Sequence, residues 1–215
     1  MVGKKKYKIE SIPNYLKDYA HDLTMLRLEA TKGRYTSSYN KRTGIKESVL
    51  LGSVEKDYYT EYVGILGELV TRRHYDVDPD YSGFKVSAYI KSKENVSKDT
   101  DLIAYKNGEP IKISIKSGER SFKANKHSMD KEDADIVVFI IFLSADEYLV
   151  RTWTTEEVKR FELKGGHSQY YYRNLPQTIR DTYDFNGKNN EGVLPRRQSI
   201  LAFCRKKIRA VLFQQ

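Results

Sequence analysis

The clearest alternation of apolar and polar positions lies in residues 100–118. Asp101 opens an apolar run that ends at a turn containing Asn107-Gly108, and isoleucines then alternate with polar residues beyond the turn. An Asn-Gly pair between two such runs predicts a β-hairpin with a two-residue turn. A period of two places three polar side chains on one face of the second strand, namely Lys112, Ser114 and Lys116.

Helical spacing of apolar residues marks three other segments. It predicts helices over 15–32 and 54–74, and a last helix that begins at Pro195. Gly33 is a plausible C-terminal stop for the first of these helices. The polar residues 33–52 then read as a loop.

Further strands surround the hairpin in sequence. Residues 84–90 alternate as a strand, and residues 135–143 form a continuous β-branched apolar run that is typical of a strand buried on both faces. We expect this run at the centre of the sheet, followed by a strand over 148–153. Residues 117–133 are expected to contain a helix, and Thr154 to begin another. The predicted order is helix, three strands, helix, strand, strand, which is an α/β fold with a mixed central sheet flanked by helices.

Composition limits the class of protein. A chain of 215 residues can form one domain with a real core, and we expect a single domain over 1–215. No apolar run approaches the roughly 20 residues of a membrane span, and the start resembles no signal peptide. We therefore expect a cytoplasmic protein with no membrane partner. The single cysteine, Cys204, excludes an internal disulfide and a cysteine-based zinc site.

Charge is distributed unevenly along the chain. Residues 1–54 contain 11 basic and 5 acidic side chains, residues 55–150 contain 14 and 18, and residues 151–215 contain 13 and 6. Basic N- and C-terminal extensions around an acidic centre suit a protein that holds a polyanion and binds cations within. An ordinary basic, solvated surface is the alternative.

Glu68 lies beside the apolar stripe of the predicted helix 54–74. Gly64 and Gly67 precede it, and a glycine inside a helix costs about 1 kcal/mol relative to alanine. Close approach of the helix to the sheet, or room for a metal beside Glu68, would offset this cost.

These residues suit phosphodiester hydrolysis. The reaction needs a divalent cation with oxygen ligands, and we expect Asp101, Glu68 and the main-chain carbonyl of Ile115 to hold it. Lys116 would orient or deprotonate the attacking water and offset charge at the phosphate. The alternative is a hairpin with charged ends and no active site.

Residues 54–153 resemble the core of the PD-(D/E)XK nuclease superfamily, which has the restriction-endonuclease-like fold. The family places an acid at the start of the second strand, matched by Asp101, and an acid-x-lysine triplet on the third, matched by Ser114-Ile115-Lys116. Its frequent helix glutamate is matched by Glu68. Pro79-Asp80 is a rival for the first motif, but Asp101 opens the strand that pairs directly with the lysine strand.

The chain departs from the family pattern at two positions. Thr100 replaces the name-giving proline, and Ser114 replaces the acid of the triplet, so that it lines the site without supplying an anionic ligand. Some restriction enzymes of the family carry the same Ser-x-Lys and take the missing carboxylate from the next helix, about 13 residues past the lysine. Asp130 occupies that position and is the implied third metal ligand.

Several basic and aromatic residues are candidates for DNA contact, with an exposed surface as the alternative for each. The candidates are Arg34, Tyr39, Lys41, Arg42, Lys123, Lys126, His167 and Arg173.

The resemblance implies a Mg²⁺-dependent endonuclease for double-stranded DNA, with Mn²⁺ as a substitute metal and no small-molecule cofactor. A sequence-specific type II restriction enzyme acting as a homodimer is the leading interpretation. A phage or mobile-element nuclease of the same superfamily is one alternative. A DNA-binding module with a decayed catalytic site is another, and Ser114 is the feature that favours it.

Overall fold

The arrangement of strands and helices comes from a computed structural model, which describes residues 9–43, 47–76, 81–86, 100–119, 122–130, 133–164, 169–172 and 199–212. It is a mixed α/β structure with a six-stranded and a three-stranded sheet. The strands are β1 Ile9–Ser11, β2 Tyr81–Val86, β3 Leu102–Lys106, β4 Glu109–Glu119, β5 Phe122–Asn125, β6 Ile136–Phe142, β7 Glu147–Thr154, β8 Glu162–Lys164 and β9 Gln169–Tyr172. The helices are α1 Asn14–Thr43, α2 Glu47–Asp76, α3 Lys126–Asp130, α4 Thr155–Lys159 and α5 Ile200–Leu212.

The larger sheet has the strand order β1-β7-β6-β4-β3-β2. β4 and β6 run parallel, whereas the other neighbouring pairs run antiparallel. The predicted hairpin is confirmed as β3 and β4, and both of its turn residues, Asn107 and Gly108, have positive φ as a two-residue turn requires. The apolar run of β6 is buried and occupies the middle of the sheet, as its composition indicated.

Each face of this sheet supports its own hydrophobic cluster. On one face, Ile113 and Ile140 pack with residues of α1, α2 and α5, including Leu66 and Cys204. On the other face, Phe139 and other side chains of β6 pack with residues of α3, α4 and the small sheet. The helices that flank the sheet therefore cover both sides, and α2 lies on the β4 side of the first face.

One local prediction needs correction, and several strands were not predicted. α1 continues through Gly33 to Thr43, and α2 begins at Glu47, so residues 33–43 and 47–52 are helical rather than a loop. The polar composition of these residues gives no amphipathic signal. The helix expected within residues 117–133 is confirmed as α3, Lys126–Asp130, and it follows strand β5, which was not predicted. The strands β1, β8 and β9 were not predicted either.

The helix start at Thr154 is confirmed. The Thr154 hydroxyl accepts a hydrogen bond from the Glu157 amide, and the Glu157 carboxylate accepts one from the Thr154 amide. Within the described ranges, no helix carries an apolar stretch of the length needed to cross a membrane.

α2 approaches β4 most closely at Gly67. A Cβ atom at this position would lie 2.6 Å from Cβ and 2.8 Å from Oγ of Ser117, and the Ser117 hydroxyl donates a hydrogen bond to the Val63 carbonyl at 2.9 Å. The absence of a side chain at Gly67 is therefore what allows the helix and the strand to touch. At Gly64, by contrast, an added Cβ would meet nothing within 4 Å.

Gly67→Ala and Gly64→Ala are expected to change stability in opposite directions. Gly67→Ala should lower the free energy of unfolding by about 1–3 kcal/mol, because Ser117 has to move. Gly64→Ala should raise it by up to about 1 kcal/mol, because alanine favours the helix and meets no neighbour. Urea denaturation measures both changes, and stabilisation by Gly67→Ala would contradict the close approach.

Candidate functional site

One end of β4 extends past its hairpin partner. Among the described residues, β3 pairs with β4 as far as Leu102 opposite Ile113, whereas β4 pairs with β6 on its other side up to Glu119 opposite Phe142. The edge of β4 that follows Ile113 therefore lies beside Asp101. We call this place, with Glu68, Asp101, Ser114, Ile115 and Lys116, the candidate site.

Asp101 lies at this edge and is fixed to it by two hydrogen bonds. Its amide donates to the Ile113 carbonyl at 3.0 Å, and its Oδ2 atom accepts the Ile115 amide at 2.7 Å. The amide and carbonyl of one residue in an antiparallel strand point to the same neighbouring strand. The Ile115 carbonyl is therefore directed to the side where Asp101 lies, as the predicted ligand role requires.

Glu68 reaches the candidate site from α2. It follows Gly67 directly, so the contact between α2 and β4 sets its position. The side chain is partly buried, and its Oε2 atom is buried without a hydrogen-bond partner among the described residues. Buried carboxylate oxygens without partners are uncommon in folded proteins, because the lost hydration is not replaced.

The surroundings of Glu68 disfavour its charged form. Burial, and after it the charge of Asp101, raises the pKa of Glu68 to about 8. The charges of Arg27 and Lys116 act in the opposite direction and only partly offset these effects. Glu68, Asp101 and Lys116 are therefore close enough to influence one another, although α2 and the hairpin are far apart in sequence.

Lys116 and Ser114 lie on the same face of β4, as the period of two predicted. The Lys116 ammonium donates a hydrogen bond to Ser114 Oγ at 2.8 Å, and Ser114 is completely buried. A buried hydroxyl in this position restricts the orientation of the lysine side chain. Ser114 therefore positions Lys116, whereas a carboxylate in its place would provide a negative charge.

The donor atoms at the candidate site fit a hard divalent cation. Two carboxylates and a backbone carbonyl are oxygen ligands, and Mg²⁺ is usually bound through one or two carboxylates with waters and substrate phosphates completing its coordination. The described residues contain no group of three or more His, Cys, Asp or Glu side chains placed to hold a metal ion. Asp130 is exposed and pairs with Lys126 at 2.6 Å. Its role as a ligand stays a prediction.

The predicted DNA contacts are described only in part. Lys126 takes part in the ion pair with Asp130 on α3. Four of the others lie in α1 and one in β5, with side chains outside the described residues; these are Arg34, Tyr39, Lys41, Arg42 and Lys123. His167 and Arg173 lie outside the described residues altogether.

Two charged residues near Glu68 were missed by the sequence analysis. Glu61 precedes Glu68 by seven residues, so it lies on the same face of α2, and its Oε2 atom is 2.6 Å from Nη1 of Arg27 on α1. The spacing of seven was a usable signal for Glu61. No signal in the sequence indicated Arg27, because its position near Glu68 depends on how α1 packs against α2.

The candidate site thus combines two acidic side chains, a backbone carbonyl and a positioned lysine at one end of β4. Its chemistry suits the binding of a cation and of an anionic substrate. No family model matches this chain, and no curated protein and no solved structure matches it either.

Proposed function

We propose that this protein is a Mg²⁺-dependent endonuclease that hydrolyses phosphodiester bonds of double-stranded DNA. The observation that carries the proposal is the buried, unpartnered carboxylate oxygen of Glu68 beside Asp101 and Lys116. A carboxyl group whose pKa is raised strongly by burial and by a neighbouring carboxylate is characteristic of functional sites. A purely structural role for Glu68 would be served better by an apolar side chain.

Each residue has a distinct task in the proposed reaction. Glu68, Asp101 and the Ile115 carbonyl would hold the cation, which supplies positive charge opposite the phosphate and makes water a better nucleophile. Asp101 also keeps the edge of β4 in place through the Ile115 amide. Lys116, oriented by Ser114, would position the attacking water and offset negative charge at the phosphate.

We further propose a restriction-endonuclease-like core for residues 54–153. The observed order of α2, β2, β3, β4, α3, β6 and β7, interrupted by β5 between β4 and α3, and the parallel pairing of β4 and β6 support it. Cleavage of both strands of a duplex calls for two active sites, so a homodimer and a sequence-specific type II restriction activity are part of the proposal. This last step rests on the resemblance of the motif.

One observation favours a second function, a DNA-binding module without catalysis. Ser114 stands where an acid would complete the triplet, and Asp130 is engaged with Lys126. The metal would then have only the carboxylates of Glu68 and Asp101 as anionic ligands. The two functions differ in a single measurable property, which is strand cleavage.

Incubation with supercoiled plasmid DNA tests the proposal. We expect discrete fragments in the presence of Mg²⁺ and no cleavage in EDTA, because charge at the phosphate is neutralised only when the cation is present. Gel electrophoresis distinguishes the outcomes. Smears or nicked products would favour a non-restriction nuclease, and binding without any strand cleavage would favour the module without catalysis.

A further inference from the structure

An ion pair between α1 and α2 borders the candidate site. Nη1 of Arg27 lies 2.6 Å from Oε2 of Glu61, and the two side chains are 44% and 39% exposed. Glu61 is two helical turns from Glu68, which corresponds to about 10 Å along α2. The guanidinium is therefore solvent-accessible on the side of α2 that carries Glu68.

The charge of Arg27 affects the pKa of Glu68 in the candidate site. Among the cationic groups that lower the pKa of Glu68, Arg27 has a larger effect than Lys116, and Glu61 acts in the opposite direction. Arg27 and Lys116 thus bring positive charge to the same carboxylate from α1 and from β4. An anionic substrate placed beside Glu68 would meet both cations.

The ion pair with Glu61 restrains the Arg27 side chain only weakly. Exposed ion pairs contribute little to stability, since water screens them. A guanidinium binds phosphate oxygens, like carboxylate oxygens, through two parallel hydrogen bonds, and a nucleic acid adds the charge of the neighbouring phosphates. A phosphate group that reaches the candidate site can therefore compete with Glu61 for Arg27.

We propose that Arg27 binds a backbone phosphate of the DNA beside the bond that is cut. Before DNA binds, Glu61 holds the guanidinium near the site, and the phosphate then takes the place of Glu61. The inference rests on the proposed function for the identity of the polyanion. It extends the site onto α1, a helix that the sequence motifs do not include. It also gives Glu61 a restraining effect on DNA binding.

Equilibrium binding of a short fluorescent DNA duplex in EDTA tests the proposal without cleavage. Arg27→Ala should weaken binding about tenfold and reduce the slope of log affinity against log salt by about 0.9, the value for one lost phosphate contact. Glu61→Gln should strengthen binding by up to about fivefold, because the competing ion pair is removed. Arg27→Lys should retain the salt slope but lose part of the affinity.

Matched variants separate this role from a general effect of charge. Arg205→Ala also removes an exposed arginine that pairs with an acid of α2, Glu55, which lies about 20 Å further along the helix from Glu68. Glu156→Gln removes an exposed acid from α4 on the other face of the sheet. Both should change duplex affinity less than about twofold. Equal effects in the Arg27 and Arg205 variants, or no effect in either Arg27 variant, would overturn the inference.

A structural role predicts a different pattern. Arg27→Ala and Glu61→Gln lose the same ion pair, so they would change thermal stability alike and leave binding unchanged. In cleavage assays, Arg27→Ala should raise KM more than it lowers kcat. If plasmid cleavage is absent while Arg27-dependent binding persists, the proposed function fails and the binding of a backbone phosphate by Arg27 stands. If cleavage is normal and Arg27→Ala binds like wild type, this inference alone fails, and a wild type that binds no duplex contradicts both.

Discussion

Glu68→Gln is expected to stabilise the protein at alkaline pH and to have little effect in acid. Glu68 has a pKa of about 8 when folded and 4.5 as its ordinary value, so the folded protein keeps a proton that the unfolded chain releases. Its contribution to stability is fully present below about pH 4.5 and is lost as the pH rises through 8. The loss is on the order of 5 kcal/mol, and glutamine, which cannot ionise, should abolish it.

Urea denaturation of both proteins between about pH 4 and pH 9 measures this difference. Glu156→Gln is a suitable control, because Glu156 is 72% exposed and pairs with Lys159 at the surface. The control should show no comparable gain at alkaline pH. A constant difference between Glu68→Gln and wild type at all pH values would contradict the burial of the carboxyl group.

The same variant provides a test of cation binding that needs no cleavage. A cation binds the ionised carboxylate, so Mg²⁺ should raise the stability of the wild type more at pH 8 than at pH 5. The increase should be smaller in Glu68→Gln. An equal increase in both proteins would exclude Glu68 as a ligand.

Local sequence signals predicted part of the fold well. Asn107-Gly108 has the backbone preferences of a two-residue turn, and the capping box at Thr154 is complete within four residues, so both features are encoded where they occur. β1 depends instead on pairing with β7, and β9 depends on pairing with β5 and β8. The continuation of α1 past Gly33 to Thr43 likewise has no local signal in the sequence.

The candidate site also has one part that follows from local sequence signals and one part that does not. The pairing of Leu102 with Ile113 follows from the hairpin turn, and it brings Asp101 next to Ile115 as the sequence predicted. Asp130 was chosen by its distance from Lys116 along the chain, but β5 pairs with β9 and connects the hairpin to the smaller sheet before α3 begins. Spacing along the chain therefore did not determine the position of its carboxylate.

Asp101→Asn and Lys116→Ala are expected to reduce Mg²⁺-dependent cleavage by about 10³-fold each while DNA binding remains measurable. An asparagine retains a side-chain oxygen that can accept the Ile115 amide, so this change removes the charge and preserves the edge of β4. Lys116→Ala removes the positive charge at the phosphate. Single-turnover cleavage of a labelled duplex measures the rates, and a gel-shift assay measures binding.

The same strand offers matched controls for both changes. Asp135 also accepts an amide of β4, that of Lys112 at 2.7 Å, and Lys112 lies on the same face as Lys116 in an exposed ion pair with Asp133. Asp135→Asn and Lys112→Ala should cleave at rates close to wild type, because neither residue lies at the candidate site. Asp101→Asn should also lower the pKa of Glu68, which would reduce the loss of stability between pH 5 and pH 8. Full cleavage by either site variant, or equal losses in the controls, would refute the assignment of Asp101 and Lys116 to catalysis.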